Sequence, residues 1–324
     1  MHKPTSKKPN LTKDTQEFID KLTEQGGEPL YKMTHENARK FLENLQKEEN
    51  ETRDADIKDM QITLKNSKNI NLRIFRPRNS PSELPAILYI HGGGWVLGSR
   101  NSWNRFLQQF AKCTNAEIIF PEYSLSPEAQ YPTAINEIYE VLEYIHQNPS
   151  EFNINPDKIV IAGDSAGGNM AAVTAIRALK EKGPKIIFQL LFYPVTDADM
   201  DTDSYKEFAD GPWLTKKAME WFWDAYEPDK DKRKHPYLSP LKADLEELKG
   251  LPYTLIITDE NDVLRDEGEA YASKLDKAGV KVMNVRINGT FHDFMVLNSL
   301  SHTAPVKAAF ILACTKLKHL FEHQ

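Results

Sequence analysis

Cysteine is almost missing from this chain: Cys113 and Cys314 are the only two in 324 residues. So few thiols build no disulfide framework, and the sequence predicts a reduced structural pair in a reducing, cytoplasmic setting. Long apolar runs are missing too. No stretch is long enough to span a bilayer, and no apolar segment follows the polar, lysine-rich residues Met1 to Asp14, so neither a membrane anchor nor a secretory signal is expected. Positive charge is not in excess, with 41 Lys and Arg against 47 Asp and Glu and a formal net charge of -6. A mildly acidic chain is a poor partner for nucleic acid or an anionic membrane. No His, Cys, Asp or Glu cluster has zinc or calcium spacing, so no metal is expected. Internal repeats and low-complexity tails are absent.

What remains is ordinary globular composition, 40% hydrophobic and 27% charged, in a chain long enough to bury a large core. Residues Leu11 to Glu49 repeat apolar side chains (Phe18, Leu22, Phe41, Leu42, Leu45) at helical spacing. Two strand-like runs follow, Met60–Leu64 and Ile70–Phe75. From Pro85 onward, near-continuous apolar runs alternate with amphipathic segments. The runs are Ala86–Ile90, Glu117–Phe120, Ile159–Ala162, Ile186–Phe192, Tyr253–Ile257 and Val280–Ile287. Between them lie the predicted helices Trp103–Cys113, Ala134–His146, Gly168–Lys180, Glu267–Ala278 and Ala304–Phe321. Such strands are buried on both faces, which predicts an α/β fold with a mostly parallel central sheet flanked by helices. After Pro194 the alternation breaks into an aromatic helix, Thr215–Tyr226, and a charged, proline-punctuated stretch. The expected organisation is an N-terminal helical cap segment (1–55), a first part of the core (56–195), a cap insertion (196–245) and a second part of the core (246–324).

Two glycine-rich turns carry the chemistry. Gly163-Asp164-Ser165-Ala166-Gly167-Gly168 lies where a predicted strand gives way to a predicted helix. It matches G-x-S-x-G, a turn so tight that its serine is strained and exposed while glycines two residues away spare backbone collisions. His91-Gly92-Gly93-Gly94-Trp95 follows an earlier strand, and its backbone N–H groups are free to approach a ligand. Gly93, Gly94 and Ala166 are therefore the expected oxyanion donors. His91 is expected to shape its loop through a structural hydrogen bond.

Acyl transfer also needs an acid after a late strand and a base after the last one. Asp259, Glu260, Asn261, Asp262 and Asp266 follow the strand that begins at Tyr253, and Asp266 reads as a helix cap. His292, between the run Val280–Ile287 and the terminal helix, is the expected base. Its imidazole is expected to lose its proton near ~6–7, slightly raised by Asp293.

HGGGW at His91, GDSAGG at Gly163, the segment Tyr123-Ser124-Leu125-Ser126-Pro127-Glu128 and Asp262-Val263-Leu264-Arg265-Asp266-Glu267-Gly268 together resemble the hormone-sensitive-lipase-like branch of the α/β-hydrolase fold esterases. The likeness runs from about Pro85 to the C-terminus. It implies Ser165 as nucleophile, Asp262 as acid, His292 as base and no cofactor. It also implies a cap that forms the substrate pocket, for which Trp95, Trp213, Trp221 and Phe222 are the candidates. Three residues depart from the family pattern: Val263 replaces a proline, Asp293 a glycine and Ser124 an arginine, the last of which is expected to remove a structural ion pair. The expected activity is hydrolysis of short-chain carboxylic esters, with a small-molecule ester as the partner and a homodimer left open. Amide or peptide hydrolysis shares the same chemistry. A non-catalytic small-molecule receptor on the same fold is disfavoured because all three polar side chains are retained.

Overall fold

A computed structural model describes residues 8–47, 54–65 and 67–323. Eight strands form one sheet: β1 (Ala55–Thr63), β2 (Asn69–Pro77), β3 (Leu84–Ile90), β4 (Glu117–Pro121), β5 (Ile154–Asp164), β6 (Phe188–Phe192), β7 (Tyr253–Asn261) and β8 (Val282–Phe291). Their spatial order is β1-β2-β4-β3-β5-β6-β7-β8. The pairs β1/β2 and β2/β4 are antiparallel and every other pair is parallel. Central strands read as unbroken apolar runs because both faces are covered: Ala86–Ile90 and Ile159–Ala162 are wholly buried. Edge strand β1 starts five residues before the predicted Met60. Its charged residues Asp56, Lys58 and Asp59 face outward, as suits a solvent edge, and they hide the strand from an apolar-run reading.

The helices are α1 (Lys13–Gln25), α2 (His35–Leu45), α3 (Asn104–Thr114), α4 (Thr133–Gln147), α5 (Pro149–Phe152), α6 (Ala166–Lys180), α7 (Asp203–Glu207), α8 (Lys216–Tyr226), α9 (Leu245–Leu248), α10 (Arg265–Lys277) and α11 (Ala304–His323). Buried residues of α4, α6 and α10 share one core, and those of α3 and α11 share the other, so the sheet is filled from both sides. The long N-terminal run divides into α1 and α2; Glu48 and Glu49 lie outside the described residues.

Thr34 caps α2 by accepting from the Asn37 N–H at 3.2 Å, and Thr215 caps α8 from the Ala218 N–H at 3.0 Å. Helix α2 is held across the top of the sheet by Arg39. Its guanidinium donates to the Val96 and Ser126 carbonyls at 2.8 and 2.9 Å and forks onto Glu128 at 2.9 and 2.7 Å. Just beyond α2, buried Gln46 donates to the carbonyls of Ser102 and Val296 and accepts from the Asn298 N–H. Further upstream, Asn10 is hydrogen-bonded with Asn261, and the Thr12 N–H donates to the Gly289 carbonyl at 3.0 Å. Segment 196–245 spans the other side of the same opening, and its helix α8 packs Phe222 over Gly94.

Two expectations change here. Cys113 on α3 and Cys314 on α11 are disulfide-bonded, not two reduced thiols, with Cα atoms 5.7 Å apart. The cause is the packing of α3 beside α11 on one sheet face, a neighbourhood that residues 201 positions apart do not disclose in sequence. The bridge also removes the argument for a reducing compartment. Second, Ser124 does not cost the protein an ion pair. Lys68, immediately before β2, supplies the cation that bonds Glu137 and the Ser124 hydroxyl.

Candidate active site

Ser165 sits between β5 and α6 at φ 53°, ψ -121°, a left-handed backbone that an ordinary residue avoids. Tight packing enforces it. A Cβ on Gly163 would lie 2.4 Å from the Gly167 carbonyl oxygen, and one on Gly167 would lie 2.1 Å from that of Ile90. The turn thrusts Ser165 Oγ to 2.8 Å from His292 Nε2, and His292 Nδ1 is 2.7 Å from Asp262 Oδ2. The other Asp262 oxygen, Oδ1, accepts the Leu264 N–H at 3.0 Å. Asp262 follows β7 and His292 follows β8, so all three side chains leave the carboxyl ends of parallel strands. An irregularity between Asp259 and Asn261 shifts the β7/β8 register immediately before Asp262, the kind of feature that re-aims a side chain.

Opposite Ser165, Gly93 and Gly94 have φ of 86° and 60°. Gly94 is obligatory on a second count, since a Cβ there would strike the Phe222 ring at 2.1 Å. Ala166 opens α6, where a backbone N–H has no intrahelical acceptor and the helix dipole favours negative charge. His91 is buried, stacked on Tyr123 at 4.2 Å, and bonded to the Gly92 carbonyl. Burial pushes its imidazole down to about 4, so it stays neutral and shapes the loop.

The cavity over Ser165 has a volume of about 210 Å³. Its walls are mostly apolar and come from three places: Leu30, Met33, Phe41 and Leu42 of the N-terminal segment, Trp213, Leu214, Met219 and Phe222 of the insertion, and Leu97, Val296 and Leu297 of the core. Of the four aromatic candidates, Trp213 and Phe222 line it. Trp95 and Trp221 do not, which corrects the expectation. Trp95 is wholly buried, stacked on Tyr226 at 4.4 Å, because a sharp turn at φ 62° drives its ring under the cap. Trp221, next to Phe222 on α8, stacks on His35 at 4.8 Å. Phe41 and Leu42 were visible in sequence as an apolar helix face, but nothing there said that the face lines a cavity.

Asp293 also belongs to this wall. Its backbone has φ 69°, the conformation that glycine adopts freely at this place in the family pattern. One carboxyl oxygen accepts the Trp213 indole N–H at 2.9 Å, and the other lies 3.5 Å from His292 Nε2. Burial tends to lower the His292 pKa, yet the charges of Asp262 and Asp293 outweigh it and raise it to about 9. The ordinary value expected from sequence is thereby displaced. Beside the serine, burial and the nearby Asp293 charge lift Asp164 to about 7, and Asp164 accepts from the Tyr89 hydroxyl and the Trp103 indole.

A mostly parallel eight-stranded sheet with a strained serine after β5, an acid after β7 and a histidine after β8 is the architecture of an α/β hydrolase. A family model described as alpha/beta hydrolase fold matches residues 87–296, and the chain belongs to that family, as a hormone-sensitive-lipase-like esterase. It is 39% identical to an alpha/beta hydrolase of Acanthamoeba polyphaga mimivirus over 96% of this chain and 88% of that one. A carboxylesterase of Mycobacterium tuberculosis, NlhH, is 39% identical over 66% of this chain and 67% of its own length. Among solved structures, a thermostable esterase from Pseudomonas putida ECU1011 superposes with a TM-score of 0.95 at 42% identity, covering 98% of this chain and all of that one.

Proposed function

We propose that this esterase hydrolyses short-chain acyl esters through a Ser165–His292–Asp262 triad. The observation that carries the reading is the unbroken line of hydrogen bonds from Asp262 through His292 to Ser165 Oγ. His292 takes the serine proton as Oγ attacks the ester carbonyl. Asp262 holds the imidazole with Nδ1 protonated and stabilises the imidazolium. The N–H groups of Gly93, Gly94 and Ala166 receive the oxyanion, His292 protonates the departing alcohol, and water activated by the same nitrogen then releases the acid. Ser165→Ala is expected to keep its fold, checked by circular dichroism, and to lose turnover by roughly a million-fold. A variant keeping a tenth of wild-type turnover overturns the assignment.

Short acyl chains are favoured by the size of the cavity, about 210 Å³ against roughly 300–1,000 Å³ for sites that take drug-sized ligands. The bulky rings of Phe222 and Trp213 are part of its wall. Each methylene gains about 0.8 kcal/mol while burial lasts and meets a wall thereafter. Across p-nitrophenyl esters from acetate to palmitate, kcat/KM is expected to rise over the first few carbons and then fall; a maximum at the long-chain end removes the proposal. The two cap segments, 1–55 and 196–245, are proposed as the specificity-bearing part of the molecule. Among the described residues no helix is long and apolar enough to cross a membrane. The cytoplasmic location expected from sequence is put to the test by thiol trapping in cells, where that location goes with free Cys113 and Cys314 and an oxidising one with the bridged pair.

A further inference from the structure

Asp259 is fully buried on β7, and neither of its carboxyl oxygens meets an N–H or O–H donor. Another acceptor stands beside it instead. One oxygen each of Asp259 and Asp262 and a ring nitrogen of His292 all lie within 4.8 Å of one another. Arg265, a nearby cation, is already bonded to Asp266, Glu207 and the Glu260 carbonyl. Asp293 and the buried Tyr193 hydroxyl are close enough to interact electrostatically with Asp259 as well. Two carboxyl groups in this position bond only if one holds a proton. Asp262 accepts from His292 Nδ1 and from the Leu264 N–H, bonds that favour a carboxylate, whereas Asp259 accepts none. The proton therefore belongs on Asp259.

We infer that Asp259 is a positioning residue of the esterase: its carboxyl O–H donates to Asp262 and fixes the carboxylate that orients His292. The inference rests on the triad reading. Burial and the Asp262 charge both hold the Asp259 carboxyl far above the usual carboxylate range, which agrees with the geometry. Asp262 then has three donors, from Leu264, His292 and Asp259, and its plane cannot rotate away from the imidazole. The O–H also draws charge from Asp262, which moderates how firmly His292 holds its proton.

The test compares wild type with Asp259→Asn and Asp259→Ala. An amide N–H still donates to Asp262, so Asp259→Asn is expected to keep kcat within about threefold. Loss of the donor in Asp259→Ala is expected to lower kcat on the order of 10–100-fold with KM little changed, in line with other supporting shells. Its kcat/KM midpoint is expected to move to higher pH, because an unsupported Asp262 stabilises the imidazolium more. A midpoint that moves to lower pH in both variants shows that an ionised Asp259 was removed, and overturns the inference. Infrared difference spectra of wild type against Asp259→Asn at neutral pH supply a readout independent of activity and of the alanine variant's folding. The carbonyl stretch of a protonated acid is expected to vanish in the asparagine protein, and its absence from wild type overturns the inference. Full activity in Ser165→Ala would defeat the triad reading while leaving the infrared result untouched, so the two failures are distinguishable.

Discussion

At the scale of single residues, Asp293 is the side chain with the widest reach. It stands in the left-handed region where a glycine is easier, accepts from Trp213 of the cap, and places a carboxylate 3.5 Å from the nitrogen that takes the serine proton in the proposed reaction. Only neutral imidazole acts as base, so with His292 raised to about 9 the kcat/KM profile is expected to climb through the alkaline range and to fall about tenfold per pH unit below it. Asp293→Asn removes one of the charges responsible and is expected to move that midpoint to lower pH, raising activity at pH 7; initial rates between pH 6 and 10 check this. The stability linkage has a definite sign. The His292 pKa is higher folded than its ordinary value of 6.5, so the imidazolium's contribution is complete below 6.5 and is lost as pH rises through about 9. The pH that favours turnover therefore withdraws part of the fold's stability, which urea titrations at pH 6 and pH 10 would reveal as a falling midpoint.

At the scale of elements, helix α2 deserves a direct test because it carries both a wall of the cavity and the Arg39 anchor. Arg39→Ala removes donors from two carbonyls, one of them at Val96 beside the glycine loop, and a fork to exposed Glu128. Only the carbonyl bonds are sheltered from solvent, so the expected cost is about 1–3 kcal/mol in denaturant unfolding. Because α2 also bears Phe41 and Leu42, kcat/KM for butyrate esters is expected to fall more than for acetate. Arg39→Lys restores a charge but not the planar fork, and is expected to recover less than half of either loss. The same helix marks the limit of what sequence discloses. Strands such as Ala86–Ile90 were legible because burial on two faces demands unbroken apolar residues. Ser165 and His292 were legible because their loops follow those strands in the order that the chemistry needs. An amphipathic face such as that of Phe41 and Leu42 records only that something covers it. Trp95 and Trp221 misled for the same reason: a large ring near a glycine loop packs equally well beneath the cap or against His35, and composition does not distinguish these from a cavity wall.

At the scale of the whole molecule, the Cys113–Cys314 bridge joins α3 to the last helix and closes a loop of about two hundred residues. In the chain-entropy picture such a closure contributes up to about 5 kcal/mol. Reduction, or Cys113→Ser, is expected to lower Tm by roughly 10 °C in a scanning calorimeter while activity at 25 °C persists, since α3 and α11 pack on the face of the sheet and the reacting groups lie at its strand ends. An unchanged Tm would show that packing alone holds α11. The opposite terminus has a different history. Asn10, Thr12, Phe18 and Gln46 find their partners at Asn261, Gly289, Phe291 and Val296. On a ribosome adding about 5–20 residues per second, those partners emerge tens of seconds after the segment that needs them. Helix α1 and the residues before it are thus made before the strand ends that seat them, while α2 finds its Arg39 partners at Val96 and Ser126 much sooner. Along that stretch, birth order and assembly order run in opposite directions.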